Sequence, residues 1–187
     1  MRTYSFVAMC LHWLIALAIV GQVLLAWYMG RLEDTDPARR QIMVLHFSIG
    51  LSILLLSLLR LAWRLTHRPP PLTAGLAGWE KALARASHLL FYVFMLGIPL
   101  LGWALVSVRG HGKAIPFWGA RIWPAIPGLG ALPHELAHQI GDILETVHGT
   151  VLVYAMIALW VLHVAGALKH QFDGNPVLYR MLLFLKR

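Results

Sequence analysis

Apolar residues in this chain collect in long runs instead of alternating or marking a single face of a helix. Four runs stand out: about Phe6 to Met29, Ile42 to Trp63, Ala86 to Val108 and Val147 to Lys169. Each exceeds the roughly 20 residues of helix needed to cross about 30 Å of hydrocarbon. In lipid a helix satisfies every backbone N–H and C=O within its own segment. The pattern therefore predicts an all-α membrane protein, a four-transmembrane-helix bundle that forms a single membrane domain over 1–187. The first run holds His12 and Gln22, exceeds the apolar core of a signal peptide and ends without a small-x-small cleavage site. It reads as a retained span.

The links are short and polar. Arg31 to Arg40 contains Pro37 as a breaker, and Pro69, Pro70 and Pro71 require extended chain because consecutive prolines exclude helix. The third link, Arg109 to Thr146, is rich in Gly, Pro and Trp up to Pro133 and turns helix-like from His134. After a Gly-Asn-Pro turn, Val177, Leu178, Met181, Leu182 and Leu185 recur at helical spacing. They predict a short amphipathic helix at the membrane surface over about 176–186.

At 59% hydrophobic and 13% charged residues, an ordinary soluble domain is excluded. The lone cysteine, Cys10, allows neither an intrachain disulfide nor a thiolate cluster. A net charge of +8 raises the question of nucleic acid, but the basic residues flank apolar runs, so membrane lipid is the expected partner. With the N-terminus cytoplasmic, that side holds Arg2, Arg60, Arg64, Arg68, Lys81, Arg85, Lys169, Arg180, Lys186 and Arg187. The other side holds Arg31, Arg39, Arg40, Arg109, Lys113 and Arg121. Ten against six predicts both termini inside.

Histidines carry the candidate chemistry. His12, His46, His88, His148 and His163 fall within the expected spans, where an ionisable side chain is costly. A single buried histidine more often bonds a neighbouring helix than a metal; depth makes this set different. With alternating helix directions, His12 and His163 lie toward the cytoplasmic ends of spans one and four. His46 and His148 begin spans two and four on the outer side. His148 and His163 are 15 residues apart, a rise of roughly 22 Å with an angular offset of about 60°. Two levels of two histidines suit two stacked bis-histidine haems, since each iron takes axial ligands from opposite faces. Zinc would want four ligands at one depth.

The sequence resembles the bacterial cytochrome b561 family, related to the cytochrome b subunits of nickel-iron hydrogenases. The likeness runs through Leu11-His12-Trp13-Leu14, Leu45-His46 with Gly50, His88-Leu89-Leu90-Phe91-Tyr92 and Ile98-Pro99-Leu100-Leu101-Gly102-Trp103. It is most specific at Leu162-His163-Val164-Ala165-Gly166-Ala167-Leu168-Lys169-His170-Gln171-Phe172 and Val177-Leu178-Tyr179-Arg180-Met181. The resemblance implies two haem b groups held by His12, His46, His148 and His163 in a bacterial inner-membrane protein. It implies electron exchange with ubiquinone and, in some members, oxidation of superoxide. The alternative is a haem-bearing anchor that relays electrons from a redox partner protein, a dehydrogenase or hydrogenase. Two departures stand out: His170-Gln171 replaces the family's usual His-His, and the two histidines of span four are one residue farther apart than its pattern.

Other residues have narrower expected roles. His170, with Lys169, is a candidate quinone contact, the imidazole supplying a proton near neutral pH. Arg64 and Lys81 are further cations for an anionic quinone. Arg60 and Arg64 suit haem propionates because guanidinium binds carboxylate in a fork, and His88 suits a propionate or the quinone. Trp13, Trp103 and Trp160 read as packing or interfacial anchors. His134-Glu135-Leu136-Ala137-His138 matches the H-E-x-x-H pattern of zinc proteases. Asp142 and Glu145 are too near in sequence to supply an independent third ligand, so this segment is expected to be an amphipathic lead-in to the fourth span.

Overall fold

The computed structural model describes residues 4–71, 75–174 and 177–181. Four rods are long and apolar enough to cross a membrane: α1 (Phe6–Met29), α2 (Pro37–Thr66), α3 (Gly78–Arg109), and a fourth built from three pieces. That last rod joins α4 (His134–Thr146), a π-helical turn (Val147–Val151) and α5 (Leu152–Phe172). Each expected span lies inside one rod, and the rods run on past the apolar runs.

Their ends explain the extra length. The Asp36 carboxylate accepts the Ala38 N–H at 2.8 Å, and Pro37 sits at the first helical position, where its missing N–H is not needed. The proline expected to break the link instead starts α2. Glu80 reaches back to the Ala77 N–H at 2.9 Å, so α3 begins well before Ala86. Ser5 caps α1 by accepting the Ala8 N–H at 3.3 Å.

Helix α1 packs on α2, α2 on α3, and α3 on both α4 and α5. Ile15, Met95 and Met156 form a buried cluster at mid-height, flanked by Ile19, Leu56, Phe91 and Ile98. Large side chains such as Leu17, Leu89, Tyr154 and Leu162 remain on the outside of the rods, giving the apolar exterior that a bilayer covers.

The third link holds a hairpin that its Gly-, Pro- and Trp-rich composition did not announce. Strands β1 (Ile115–Phe117) and β2 (Ala120–Trp123) pair antiparallel around Trp118 and Gly119, whose φ values of 47° and 91° make a two-residue turn matching strand twist. The Trp118 backbone N–H donates to Ser48 Oγ at 3.0 Å and its indole N–H to Ser52 Oγ at 3.2 Å. On the other flank Ser107 Oγ accepts the Ile126 N–H at 3.0 Å, and the Trp103 indole donates to the Pro124 carbonyl at 2.9 Å. The link is thereby pinned across the ends of α2 and α3.

The approach to α1 and the turn that follows α5 meet at the opposite end. The Tyr4 N–H donates to the Arg180 carbonyl at 3.3 Å, and the Trp13 indole to the Met181 carbonyl at 2.8 Å. Buried Arg180 donates to the Pro71 carbonyl at 2.8 Å. The surface helix expected over about 176–186 falls largely outside the described residues, which show a 3-10 turn at Leu178–Arg180.

Candidate haem-binding sites

Four of the intramembrane histidines stand as two pairs, each bridging different rods. His12 of α1 and His163 of α5 have ring centroids 6.4 Å apart with planes at 62°. His46 of α2 and His148 of the π-turn are 6.1 Å apart at 84°. Two metal–nitrogen bonds of about 2 Å each, plus the distance from ring nitrogen to ring centre on both sides, come to roughly 6 Å. The spacing suits two imidazoles on opposite faces of one iron. His12 Nδ1 and His46 Nδ1 are buried with no hydrogen-bond partner among the described residues. The Ile15–Met95–Met156 cluster lies between the levels; Met156 falls between His148 and His163 along the fourth rod.

His148 is held most closely. Its Nδ1 lies 2.9 Å from the Ile98 carbonyl. A carbonyl only accepts, so Nδ1 carries the proton and the Nε2 lone pair is left for a metal. The imidazole edge rests where Gly102 has no side chain: a Cβ there would come within 2.7 Å of Cε1.

The π-turn sets the phase between His148 and His163. Its closing bond runs from the Leu152 N–H to the Val147 carbonyl, one residue beyond the α-helical pattern. It takes up one residue, so the pair is phased nearly as if separated by one residue fewer, about 40° apart instead of about 60°. A gap of 15 residues thus carries nearly the phase of one of 14.

At the termini end a cavity of about 1560 Å³ is bounded by His12, His163, His88, Arg60, Arg64 and His170, among others. The His88 ring lies 5.9 Å and the Phe91 ring 5.1 Å from that of His163. Arg60 and Arg64 flank the Tyr92 ring at 6.0 and 5.7 Å. Lys169 also borders this space, but its ammonium lies between Glu80 at 2.9 Å and Asp173 at 2.7 Å, so its charge is already matched.

His134, Glu135 and His138 lie on α4 away from both pairs. Glu135 accepts the Gln139 amide at 3.1 Å and His138 Nδ1 faces Asp142 at 3.1 Å. Among the described residues no three His, Cys, Asp or Glu side chains converge as a metal-binding group. Two of the arginines expected on the outer side are paired: Arg109 with Asp142 at 2.6 Å and Glu145 at 3.0 Å, and Arg39 with Asp34 at 2.9 Å.

Sequence reading missed the groups that hold the histidines. Gln22 donates its amide to the His46 carbonyl at 2.7 Å, directly over Gly50. A glutamine inside an apolar run, and a glycine one turn beyond a carbonyl, were the available signals.

An all-α bundle of this kind, with histidines paired at ligand spacing inside the bilayer, is the architecture of a membrane cytochrome b. The chain matches the family described as prokaryotic cytochrome b561 over residues 3–183, and it belongs to that family. It is thus a multi-pass inner-membrane electron-transfer protein of a haem b-binding family. It is similar to cytochrome b561 homolog 2 of Escherichia coli (strain K12), 30% identical over 180 residues that cover 96% of this chain and 90% of that protein. The probable superoxide oxidase CybB of Yersinia pestis is 28% identical over 177 residues, covering 91% and 90%. Cytochrome b561 homolog 1 of Escherichia coli (strain K12) is 24% identical over 189 residues, covering 97% and 98%.

Proposed function

We propose that this chain holds two haems b, one between His12 and His163 and one between His46 and His148. It passes electrons from the outer side of the membrane to ubiquinone at the cytoplasmic side, with superoxide as the outer donor. The two histidine pairs at ligand spacing, on two levels, carry this reading. The similarity to a probable superoxide oxidase supports the donor, and the Lys and Arg count supports termini inside.

The protein's own residues then have distinct tasks. Bound haems supply one-electron carriers; the imidazoles hold them and set their electronic character. Arg60 and Arg64 line the inner cavity as fork-shaped donors for propionates. His88, beside His163, is placed to contact a propionate or the quinone. Half-buried His170 is the proton donor to a quinone carbonyl. Lys169, tied to Glu80 and Asp173, fixes the start of α3 against the end of α5 at the same mouth.

The test is haem per chain by the pyridine haemochrome method, followed by superoxide-driven reduction of ubiquinone in proteoliposomes. Two haems per chain and quinone reduction are expected. Fewer than two haems would overturn the cofactor assignment. Two haems without reduction by superoxide would move the donor to a redox partner protein, as in a dehydrogenase or hydrogenase anchor.

A further inference from the structure

We propose that Ile98 and Gly102 of α3 form a socket for His148 that fixes Nε2 as its iron-facing nitrogen and makes this level the lower-potential one. The inference rests on the two-haem reading above. Ile98 and Gly102 are one helical turn apart, so carbonyl and bare Cα lie on the same face, one above the other. The Ile98 oxygen has two lone pairs; one serves its own helix and the second takes the His148 Nδ1–H at 2.9 Å. A Cβ at residue 102 would lie 2.7, 3.2 and 3.3 Å from Cε1, Nδ1 and Nε2 of His148. No side chain fits there while the ring stays in place.

Donation from Nδ1 raises the basicity of Nε2. A stronger axial donor favours ferric over ferrous iron and lowers the potential. The other level lacks this support. His12 Nδ1 and His46 Nδ1 are both buried without a partner, so the contrast lies between His148, held by Ile98, and His163, whose ring has no hydrogen bond among the described residues. Arg60 and Arg64 also border the cavity at that level, and positive charge there favours the reduced form, which carries one positive charge fewer. Both asymmetries act in one direction. With haems bound at both levels, this order would favour passage of one electron from the group held by His46 and His148, which would be oxidised, to the group held by His12 and His163, which would be reduced.

The experiment is a spectroelectrochemical titration of the purified two-haem protein and its Gly102→Ala variant, with electron paramagnetic resonance to separate the components. In the parent, two components at different potentials are expected. In Gly102→Ala the lower one moves upward, a roughly five- to tenfold change in its reduction equilibrium, tenfold being about 59 mV for one electron. Its g-anisotropy changes while the higher component stays still. If both haems remain and neither potential moves, or only the higher one does, the socket is overturned.

A second arm does not need that variant to fold. The haem retained in His163→Ala is expected to titrate below the haem retained in His148→Ala, and the reverse order overturns the proposal. Haem content measured first keeps the two ideas apart: a parent with other than two haems sinks the cofactor reading itself.

Discussion

Removing Thr150 is the sharpest test of the π-turn. Thr150 is exposed, and a Cβ on neighbouring Gly149 would meet nothing within 4 Å, so shortening here disturbs little packing. The turn holds one residue more than an α-helix needs, so a single deletion lets it close as regular helix with the flanking segments still in phase. Deleting Gly149 and Thr150 together exhausts that reserve. The helix before the turn then rotates by about 100° relative to His163. With side chains at roughly 5–6 Å from the axis, the His148 ring moves about 8–9 Å, against a ligand tolerance of about 0.2 Å. The single deletion is expected to keep two haems per chain, and the double deletion to lose the one shared with His46. Haemochrome analysis and low-temperature spectra of the two purified variants decide it. Loss of that haem in the single deletion, or its retention in the double, would refute the phase argument.

Other substitutions probe the remaining parts. His12→Ala and His163→Ala should each abolish one spectral component, and His46→Ala and His148→Ala the other; His12→Ala and His148→Ala removing the same component would show that the pairing is wrong. Ser48→Ala leaves the Trp118 N–H without its buried acceptor, costing about 1–3 kcal/mol, and should speed amide exchange across Ile115–Trp123; unchanged exchange would mean the hairpin is held elsewhere. On the proposed orientation, Arg40→Gln and Lys113→Gln should slow haem reduction by superoxide at low salt, because a focused positive field steering the anion raises encounter rates about 10- to 1000-fold. Arg109→Gln should act mainly on stability, since its charge is already spent on Asp142 and Glu145. Rates indifferent to salt and to Arg40 and Lys113 would remove the steering idea.

The rods were legible because hydrocarbon imposes one length and one polarity on anything that crosses it. The histidine levels were legible for a related reason, since a rise of 1.5 Å per residue converts sequence position to depth. Pro37 misled because one residue type both breaks helices and starts them, and only the Asp36 side chain tells which. The hairpin left no periodic signal, its strands being 3 and 4 residues long. The π-turn left one signal, an odd residue in the His148–His163 spacing, but whether a helix bulges or rotates at such a point is settled by its neighbours. Here the neighbours are Ile98 and Gly102, which reward the imidazole for staying put.

The mid-height cluster of Ile15, Met95 and Met156 bears on energy conservation. These side chains and the flanking Ile19, Leu56, Phe91, Phe94 and Ile98 carry no hydroxyl, amide or carboxylate, and Tyr92 alone among the flanking residues adds a hydroxyl. A buried water needs two to four polar partners, and a single phenol in an apolar layer does not make a continuous file. With haems bound as proposed, an electron passing from one histidine level to the other would therefore travel without a compensating proton. On the proposed orientation it moves toward the negative side, against the membrane field, at about 2.3 kcal/mol per 100 mV for a full crossing. A polarised membrane thus throttles turnover, and collapsing the potential with an ionophore releases it.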